Sequence, residues 1–576
     1  MKILLVAVNA KYIHSNLAVY SLKKAAERPA GEVEIAEYTI NQQFFDILSD
    51  IYRRQPDVVA FSCYIWNRLM VEELMEELPK VLPGISIWAG GPEVSFNAEA
   101  FLEEHPEVTG IMRGEGEGIF RELASYYIER TGSLSDIRGL TFRDFSGNIR
   151  QNPPAALLDP DEVPFPYDDL EKFAHKIIYY ESSRGCPFRC SYCLSSVDRN
   201  VRFRSLDLVK AELGRFLEAR IPQVKFVDRT FNCNPGRTAE LWRWMMEHDN
   251  GITNFHFEIA ADLITEEELE LMSRMRPGLI QLEIGVQSVN PATIREIDRV
   301  MDLERLKTVV ERVRSCGNIH QHLDLIAGLP EEDLDSFRRS YNEVFAMKPE
   351  QLQLGFLKVL EGTKMKARAE RYGILCRKNP PYEVYATSWL SFGEVLLLKG
   401  VEEMTEIYYN SHQFDRTLAE ILKRKVSPFD FFHELAVYYD EKGLADVSHG
   451  RMARYEILRD FLREKGCWSA ETDQCMVFDL YARERLKSRP VFAADLTPYR
   501  ERLKEYERAY GRKVHIEVFE KEHGPEFVLF DYDRRSPLTK EAYTEVLRPE
   551  RSWSFWIGNT GQNTSVTCIM RRRGSF

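Results

Sequence analysis

Three cysteines, Cys186, Cys190 and Cys193, fall within the run Ser183-Arg-Gly-Cys-Pro-Phe-Arg-Cys-Ser-Tyr-Cys. The spacing C-x3-C-x2-C presents three thiolates from one short loop, and three ligands leave one position open. A cubane iron–sulfur cluster held through three of its irons can take another ligand on the fourth, whereas a structural zinc site usually closes with a fourth Cys or His. No C-x2-C or H-x3-H lies nearby to complete such a zinc site. The competing readings at this point are a zinc knuckle and three unrelated buried thiols.

The elements that must position this loop begin at Ile177. Runs at Ile177 to Glu181, Val224 to Asp228, Phe255 to Ile259, Leu279 to Val286, His322 to Ala327 and Gln351 to Leu357 are each followed by a segment of helical pattern. Six strand–helix units predict a partial (β/α)6 barrel of the TIM type with its chemistry at the strand C-termini. Asp228, Glu258, Gln287 and Ser288 fall at or just past those ends, and Asp324 lies in Leu323-Asp-Leu-Ile-Ala-Gly-Leu-Pro330. Strand-end carboxylates also cap the following helices, so both roles stay open for each residue taken singly.

Upstream, apolar runs at Lys2 to Val8, Val33 to Glu37, Asp57 to Ser62, Ile85 to Ala89 and Val108 to Met112 alternate with helical stretches. Runs without polar alternation predict strands covered on both faces, hence a doubly wound, Rossmann-like parallel sheet. Ligands of such sheets bind beyond the strand C-termini. There the chain places Asn9 to Asn16 after the first strand, Ser62 and Tyr64 after the third, Gly90-Gly91-Pro92-Glu93 after the fourth and Gly114-Glu115-Gly116 after the fifth. Glycine lets the backbone approach a large ligand closely, although a Gly-Gly pair also makes an ordinary tight turn. Gln151 to Leu170 carries five prolines. It predicts either an ordered strap that fixes the spacing of two domains or a plain linker.

Taken together, the cysteine loop, Glu283-Ile-Gly-Val-Gln-Ser288, Asp324 to Pro330 and the two glycine-rich loops resemble the cobalamin-dependent (B12-binding) radical S-adenosylmethionine (SAM) enzymes. The resemblance covers roughly residues 1 to 365 and implies three cofactors: a [4Fe-4S] cluster, SAM and cobalamin. It implies that Cys186, Cys190 and Cys193 hold the cluster as catalytic and metal-binding residues, and that Tyr192 lies against the adenine. Asp228, Glu258, Gln287, Ser288 and Ile326 would then surround SAM. Asn9, Ser62, Tyr64, Gly90, Gly91, Pro92, Glu93, Gly114, Glu115 and Gly116 would surround the corrinoid. The implied activity is methylation of an unactivated carbon, with a rearrangement or cyclisation, a methylthiotransferase and a corrinoid sensor as rivals. The D-x-H-x-x-G motif that supplies a histidine to cobalt is absent. His14 sits in the corresponding loop without its flanking Asp and Gly.

The domains expected are 1–135 (corrinoid), 136–172 (proline-rich linker), 173–375 (barrel) and 376–576 (mostly helical, with a small β element). In the last, Thr417 to Lys423 and Tyr455 to Leu462 are amphipathic, and Val514 to Asp531 alternates like a hairpin turning at Glu522 to Pro525. Cys376, Cys467, Cys475 and Cys568 lack the spacing of a second cluster, and the basic tail Arg571 to Phe576 reads as a solvated end. With 77 Lys and Arg against 90 Asp and Glu, the net charge of −13 disfavours a nucleic-acid partner. Ten cysteines in 576 residues fit no disulfide framework and suggest a reducing cytoplasm, and no run of eighteen apolar residues predicts a transmembrane segment. The expected partners are a small-molecule or peptide substrate and, by the resemblance, an electron donor such as flavodoxin or ferredoxin.

Overall fold

The computed structural model describes residues 1–26, 32–424, 427–510, 514–536 and 538–547. Cys568 and the tail from Arg571 lie outside them. The chain divides into two compact units: Met1–Asp479 with Ser536–Lys540, and Leu480–Arg535 with the residues from Glu541.

The first unit opens with strands β1 (Ile3–Asn9), β2 (Val33–Thr39), β3 (Val58–Ser62), β4 (Ser86–Gly90) and β5 (Gly110–Met112), all parallel. Every residue of β1 is buried because its two faces feed two cores. Leu4, Val6 and Val8 pack with Ile47, Leu74 and Phe101, whereas Ile3, Leu5 and Ala7 pack with Val19, Phe120 and Leu123. A fully buried aliphatic side chain contributes about 1.5–3 kcal/mol, so these two layers fix both the sheet and its register. The sheet continues through an antiparallel hairpin, β6 (Leu140–Arg143) and β7 (Ile149–Gln151), to give the order β2-β1-β3-β4-β5-β6-β7. Part of the segment read as a linker is therefore sheet. The signal was weak because β6 and β7 are short and their turn, Asp144 to Asn148, is polar.

The barrel strands are β8 (Ile178–Tyr180), β11 (Gln223–Phe226), β12 (Asn254–Ile259), β13 (Ile280–Gln287), β14 (His320–Ala327) and β15 (Gln351–Phe356). They form one parallel sheet in the order β15-β14-β13-β12-β11-β8. Between β8 and β11, β9 (Ser183–Arg184) pairs antiparallel with β10 (Arg202–Phe203). After β15, the helices Phe392–Met404 and Pro428–Glu441 continue the same compact unit. Tyr341 and Phe345, on the helix after β14, pack against Phe429, Tyr409 and Phe432. The region expected to begin a separate domain at residue 376 thus shares an aromatic core with the barrel. In the second unit, β16 (Val514–Lys521), β17 (Gly524–Arg535) and β18 (Ala542–Leu547) form an antiparallel sheet.

Gly91 shows what the fourth-strand loop requires. Its φ is +109°, and a Cβ built there would lie 2.4 Å from the Cys63 carbonyl oxygen. Gly84 has φ +85° with open space around it. Gly91→Ala combines backbone strain with a clash, each costing about 1–3 kcal/mol, whereas Gly84→Ala carries the strain alone. In urea unfolding, Gly91→Ala should lower the midpoint clearly more than Gly84→Ala. Equal midpoints would mean that the loop yields without cost.

Candidate active site

The cysteine loop leaves β8 and is pinned at its base. Asp228, just past β11 and 1 % exposed, accepts hydrogen bonds from Ser182 N (2.8 Å), Ser182 Oγ (2.6 Å) and Ser183 Oγ (2.6 Å). The β9–β10 pair then closes the loop, and Gly185 is required there because a Cβ would meet Asn200 O at 2.5 Å. Further along, Cys186 N donates to Asp198 O, and Ser191 bridges Ile297 O and Met365 N. Asp228 thus positions the loop that carries the thiols.

All three thiols are free; Cys186 and Cys190 are buried and Cys193 is partly exposed. Cys186 Sγ lies 3.6 Å from Thr230 Oγ1, and Arg299 Nη1 lies 3.6 Å from Cys190 Sγ. Arg299 also donates to Gly285 O, which joins the loop to β13. Burial raises the Cys186 thiol pKa, as it does that of the buried Cys63. The sequence reading assigned no role to Thr230 or Arg299. Tyr192, between the last two cysteines, is partly exposed, and burial raises its hydroxyl pKa against the opposing charge of Arg299.

In the barrel, β13 shifts register between Gly285 and Gln287. Gln287 sits there at φ +72° with its Oε1 buried and without a hydrogen-bond partner among the described residues. A bulge with a left-handed non-glycine residue re-aims a side chain at some cost, and such features cluster at working sites. Ser288 points the other way. It is fully buried and donates to Glu332 Oε1 at 2.6 Å, which Ser340 also reaches at 2.8 Å. Ser288, expected with Gln287 among the SAM contacts, thus has its hydroxyl engaged by Glu332 behind the strand end. Glu258, on β12, is pushed up to about 7 by burial and then by the charge of Glu283. Ile326, partly exposed on β14, shares its strand face with His322 and Asp324.

At the C-terminal edge of the first sheet, most of the polar residues singled out hold loops together. Asn9 Nδ2 donates to His14 O (3.2 Å) and Glu37 Oε1 (3.0 Å), and Ser62 Oγ accepts from Asn16 Nδ2 (3.2 Å). Glu93 accepts from Tyr382 OH at 2.7 Å. Glu115 pairs with Arg202 and accepts from Leu158 N at 2.7 Å. A Cβ on Gly116 would press on Leu22, whereas Gly90 would make ordinary contact with Met112. Pro92 starts the short helix Pro92–Ser95. The surface left for a ligand comprises Gly114, exposed with nothing within 4 Å of its Cβ position, and the stack of Tyr64 on Trp66 with centroids 4.5 Å apart. Trp66, Tyr12 and Ile13 are all exposed. An aromatic stack and an open glycine, each on a strand-end loop of this sheet, are compatible with a broad, flat ligand such as a corrin.

The two sheets are joined at their strand ends. Arg184 meets Glu117 and Arg202 meets Glu115, each at 2.5 Å. Ile177 N donates to Ile13 O at 2.7 Å, Ser15 Oγ donates to Ile177 O at 2.9 Å, and Lys176 pairs with Glu37 at 3.0 Å. His14 Nδ1 lies 2.7 Å from Tyr179 OH, and burial followed by the charge of Lys11 lowers its pKa, which favours the neutral ring.

Comparison with known proteins agrees with this architecture. Residues 3–124 match the family model for the B12 binding domain, residues 180–344 match the Radical SAM superfamily, and residues 370–525 match a protein family of unknown function, DUF4080. An uncharacterized methyltransferase of Pyrococcus horikoshii is 26 % identical over 302 residues, covering 50 % of this chain and 64 % of that protein. The cobalamin-dependent radical SAM methyltransferase TokK of Streptomyces tokunonensis is 25 % identical over 344 residues, covering 56 % of this chain and 50 % of that protein. The chain thus spans less than two thirds of the length of either relative. The structure of the cobalamin-dependent S-adenosylmethionine radical enzyme OxsB, solved with aqua-cobalamin and SAM, superposes with a TM-score of 0.59 at 17 % identity, over 88 % of this chain and 80 % of that one.

Glu332 provides a test of the barrel wall. Burial raises its pKa from about 4.5 to about 7, so the folded state keeps a proton that the unfolded state loses in between. Stability from this group is present below pH about 4.5 and is lost as pH rises through about 7. Glu332→Gln should therefore flatten the fall in urea midpoint between pH 5 and 8, leaving a residual slope from Glu258 and Asp479, which burial also raises to about 7. An unchanged slope in the variant would show that Glu332 ionises normally.

Proposed function

We propose that this chain, which carries a B12-binding domain followed by a radical SAM domain, methylates an unactivated carbon of a small-molecule or peptide substrate. The observation that carries the reading is a loop of three free thiols whose base is ion-paired to the glycine-rich edge of the B12-binding sheet. Bound there, the cluster and SAM would supply a carbon-centred radical and the corrinoid a transferable methyl group, chemistry suited to an sp3 carbon that offers no nucleophile.

The chain's own residues would divide the remaining work. Cys186, Cys190 and Cys193 supply three thiolates and leave the fourth iron to SAM. Arg299, beside Cys190 Sγ, would offset negative charge on the sulfur ligands and keep the loop against β13. Gln287, with its orphaned Oε1, and Glu258 present polar groups to SAM, with Ile326 and Tyr192 as candidate contacts for its adenine. Gly114, Tyr64 and Trp66 would receive the corrinoid. Because His14 lacks the flanking Asp and Gly of the D-x-H-x-x-G motif, the lower face of cobalt would have no histidine. The methyltransferase activities named for the two relatives support methyl transfer. The free thiols suit a reducing cytoplasm, where a flavodoxin or ferredoxin would deliver the electron. Among the described residues no helix is long and apolar enough to cross a membrane.

Anaerobic reconstitution should load about four irons per chain, and changing Cys186, Cys190 and Cys193 together to Ala should abolish both the iron and SAM cleavage. Full iron loading in the triple variant would refute the assignment. With labelled SAM and extracts from a deletion strain, label should enter a metabolite. SAM cleavage without label transfer would instead favour rearrangement or cyclisation.

A second test concerns cobalt. Electron paramagnetic resonance of the cob(II)alamin form should show no axial nitrogen splitting from the protein and no change in His14→Ala. Splitting that vanishes in that variant would place His14 on the metal.

A further inference from the structure

The hairpin and helix that follow β15 leave four neighbouring apolar side chains in solvent. The strand Leu375–Cys376 pairs antiparallel with Val384–Ala386, and Leu375 lies opposite Ala386, the residue after Tyr385. The Tyr385 ring meets that of Phe392 edge-on, with centroids 5.8 Å apart. Phe392 opens the helix Phe392–Met404, and Leu396 lies one turn farther along the same side. Leu375, Tyr385, Phe392 and Leu396 are 64, 45, 51 and 52 % exposed, respectively. Single exposed apolar residues are ordinary, whereas a linked group of large ones marks an interaction surface. The face is anchored to the barrel: Val384 N donates to Leu357 O at 2.9 Å, and Lys399 Nζ lies 3.9 Å from the centre of the Phe356 ring. It therefore stands at the C-terminal end of β15, the side on which the barrel's chemistry is expected.

The charge beside this face indicates what covers it. Residues 361–378 hold six Lys and Arg against two Asp and Glu, in a chain whose net charge is −13. Arg377 and Lys378 directly follow the Leu375–Cys376 strand, are exposed and have no ion-pair partner among the described residues. Lys364, Lys366 and Arg371 pair with Asp298, Glu361 and Glu296 at 2.6, 2.8 and 3.1 Å. Such solvated pairs are weak and leave the cations able to meet another anion. Glu383, the one carboxylate of residues 375–386, is paired with Lys399 at 2.8 Å. Protruding leucine and aromatic side chains beside basic ones suit an anionic lipid surface: the apolar groups enter the headgroup boundary while the cations meet the phosphates. Protein–protein interfaces are instead depleted in lysine.

We propose that Leu375, Tyr385, Phe392 and Leu396, with Arg377 and Lys378, form a face that docks this protein on an anionic lipid bilayer. The contact is peripheral and reversible, with the apolar side chains reaching only the headgroup boundary. Docked in this way, the C-terminal end of β15 lies beside the lipid surface. The proposal does not rest on the methyl-transfer reading.

Sedimentation of the full-length chain with vesicles tests it. One set is phosphatidylcholine with about a quarter phosphatidylglycerol, and the other is phosphatidylcholine alone. The chain should bind the first set, and should lose most of that binding on the second set or at about 1 M salt, where the Debye length is about 3 Å. Arg377→Glu with Lys378→Glu should weaken binding by at least about 25-fold, since each basic residue near an anionic surface contributes about fivefold. Phe392→Ser with Leu396→Ser should weaken it by about 10-fold or more at unchanged charge, through lost apolar burial. Thermal melts check that the variants fold, and the charge reversal at two solvated positions stands by itself. No binding of the wild-type chain to the anionic vesicles, or binding that either folded variant retains in full, would overturn the proposal. A dimer in solution that Phe392→Ser with Leu396→Ser abolishes, without vesicle binding, would assign the face to a second copy of the chain and overturn it as well.

Discussion

The structure depends on the two arginines that flank the cysteine loop. Arg184 and Arg202 face each other across the β9–β10 pair, and each reaches a glutamate just after the fifth strand, Glu117 in the first turn of the following helix and Glu115 before it. Burial opposes ionisation of Glu115, but the hydrogen bonds from Arg202 and Leu158 N hold its pKa below the usual carboxylate value. Partly buried ion pairs add little net stability, because desolvation cancels most of the attraction. Their effect is geometric. They fix the thiol loop against the edge of the first sheet, so two potential cofactor sites on different sheets share one set of contacts.

That joint explains the fate of many strand-end polar residues. Asn9, Ser62, Glu93, Glu115 and Asp228 are placed where an open α/β sheet would put ligand contacts, yet each is satisfied by a neighbouring loop. A loop that must hold its shape before a ligand arrives needs its own buried polar groups paired. Among the described strand-end residues the groups left over are correspondingly few: the open position at Gly114, the partly exposed Tyr64–Trp66 stack, the orphaned amide oxygen of Gln287 and the carboxyl of Glu258. This division separates residues that shape the site from residues able to touch a ligand.

The barrel interior is unusual in another respect. Lys225, His256, Glu283, His322 and Asp324 occupy neighbouring positions on four adjacent strands, where many barrels pack branched aliphatic side chains. Opposite charges there partly offset one another: burial works against ionisation of Glu283, but His256 and Lys225 hold it at about 2. Such an arrangement sacrifices packing for polarity, which is reasonable only where a polar guest or a fixed charge has a use.

Much of this was legible from the sequence. Short unbroken apolar runs that alternate with helical stretches point to strands buried on both faces, so the parallel sheets and their order of appearance followed from that pattern. Three cysteines within eight residues lie within reach of one centre whatever the surrounding fold, because local spacing alone limits their separation. The sequence could not show which strand-end residues face a ligand, because a polar side chain reads the same whether it pairs with a cofactor or with another loop. The register shift at Gln287, the diversion of Ser288 to Glu332, the approach of Arg299 to Cys190 and the meeting of Glu283 with His322 all depend on contacts between segments far apart in the chain. Only tertiary packing decides those, since it alone sets which of two opposite strand faces looks into the barrel and which distant side chain reaches it.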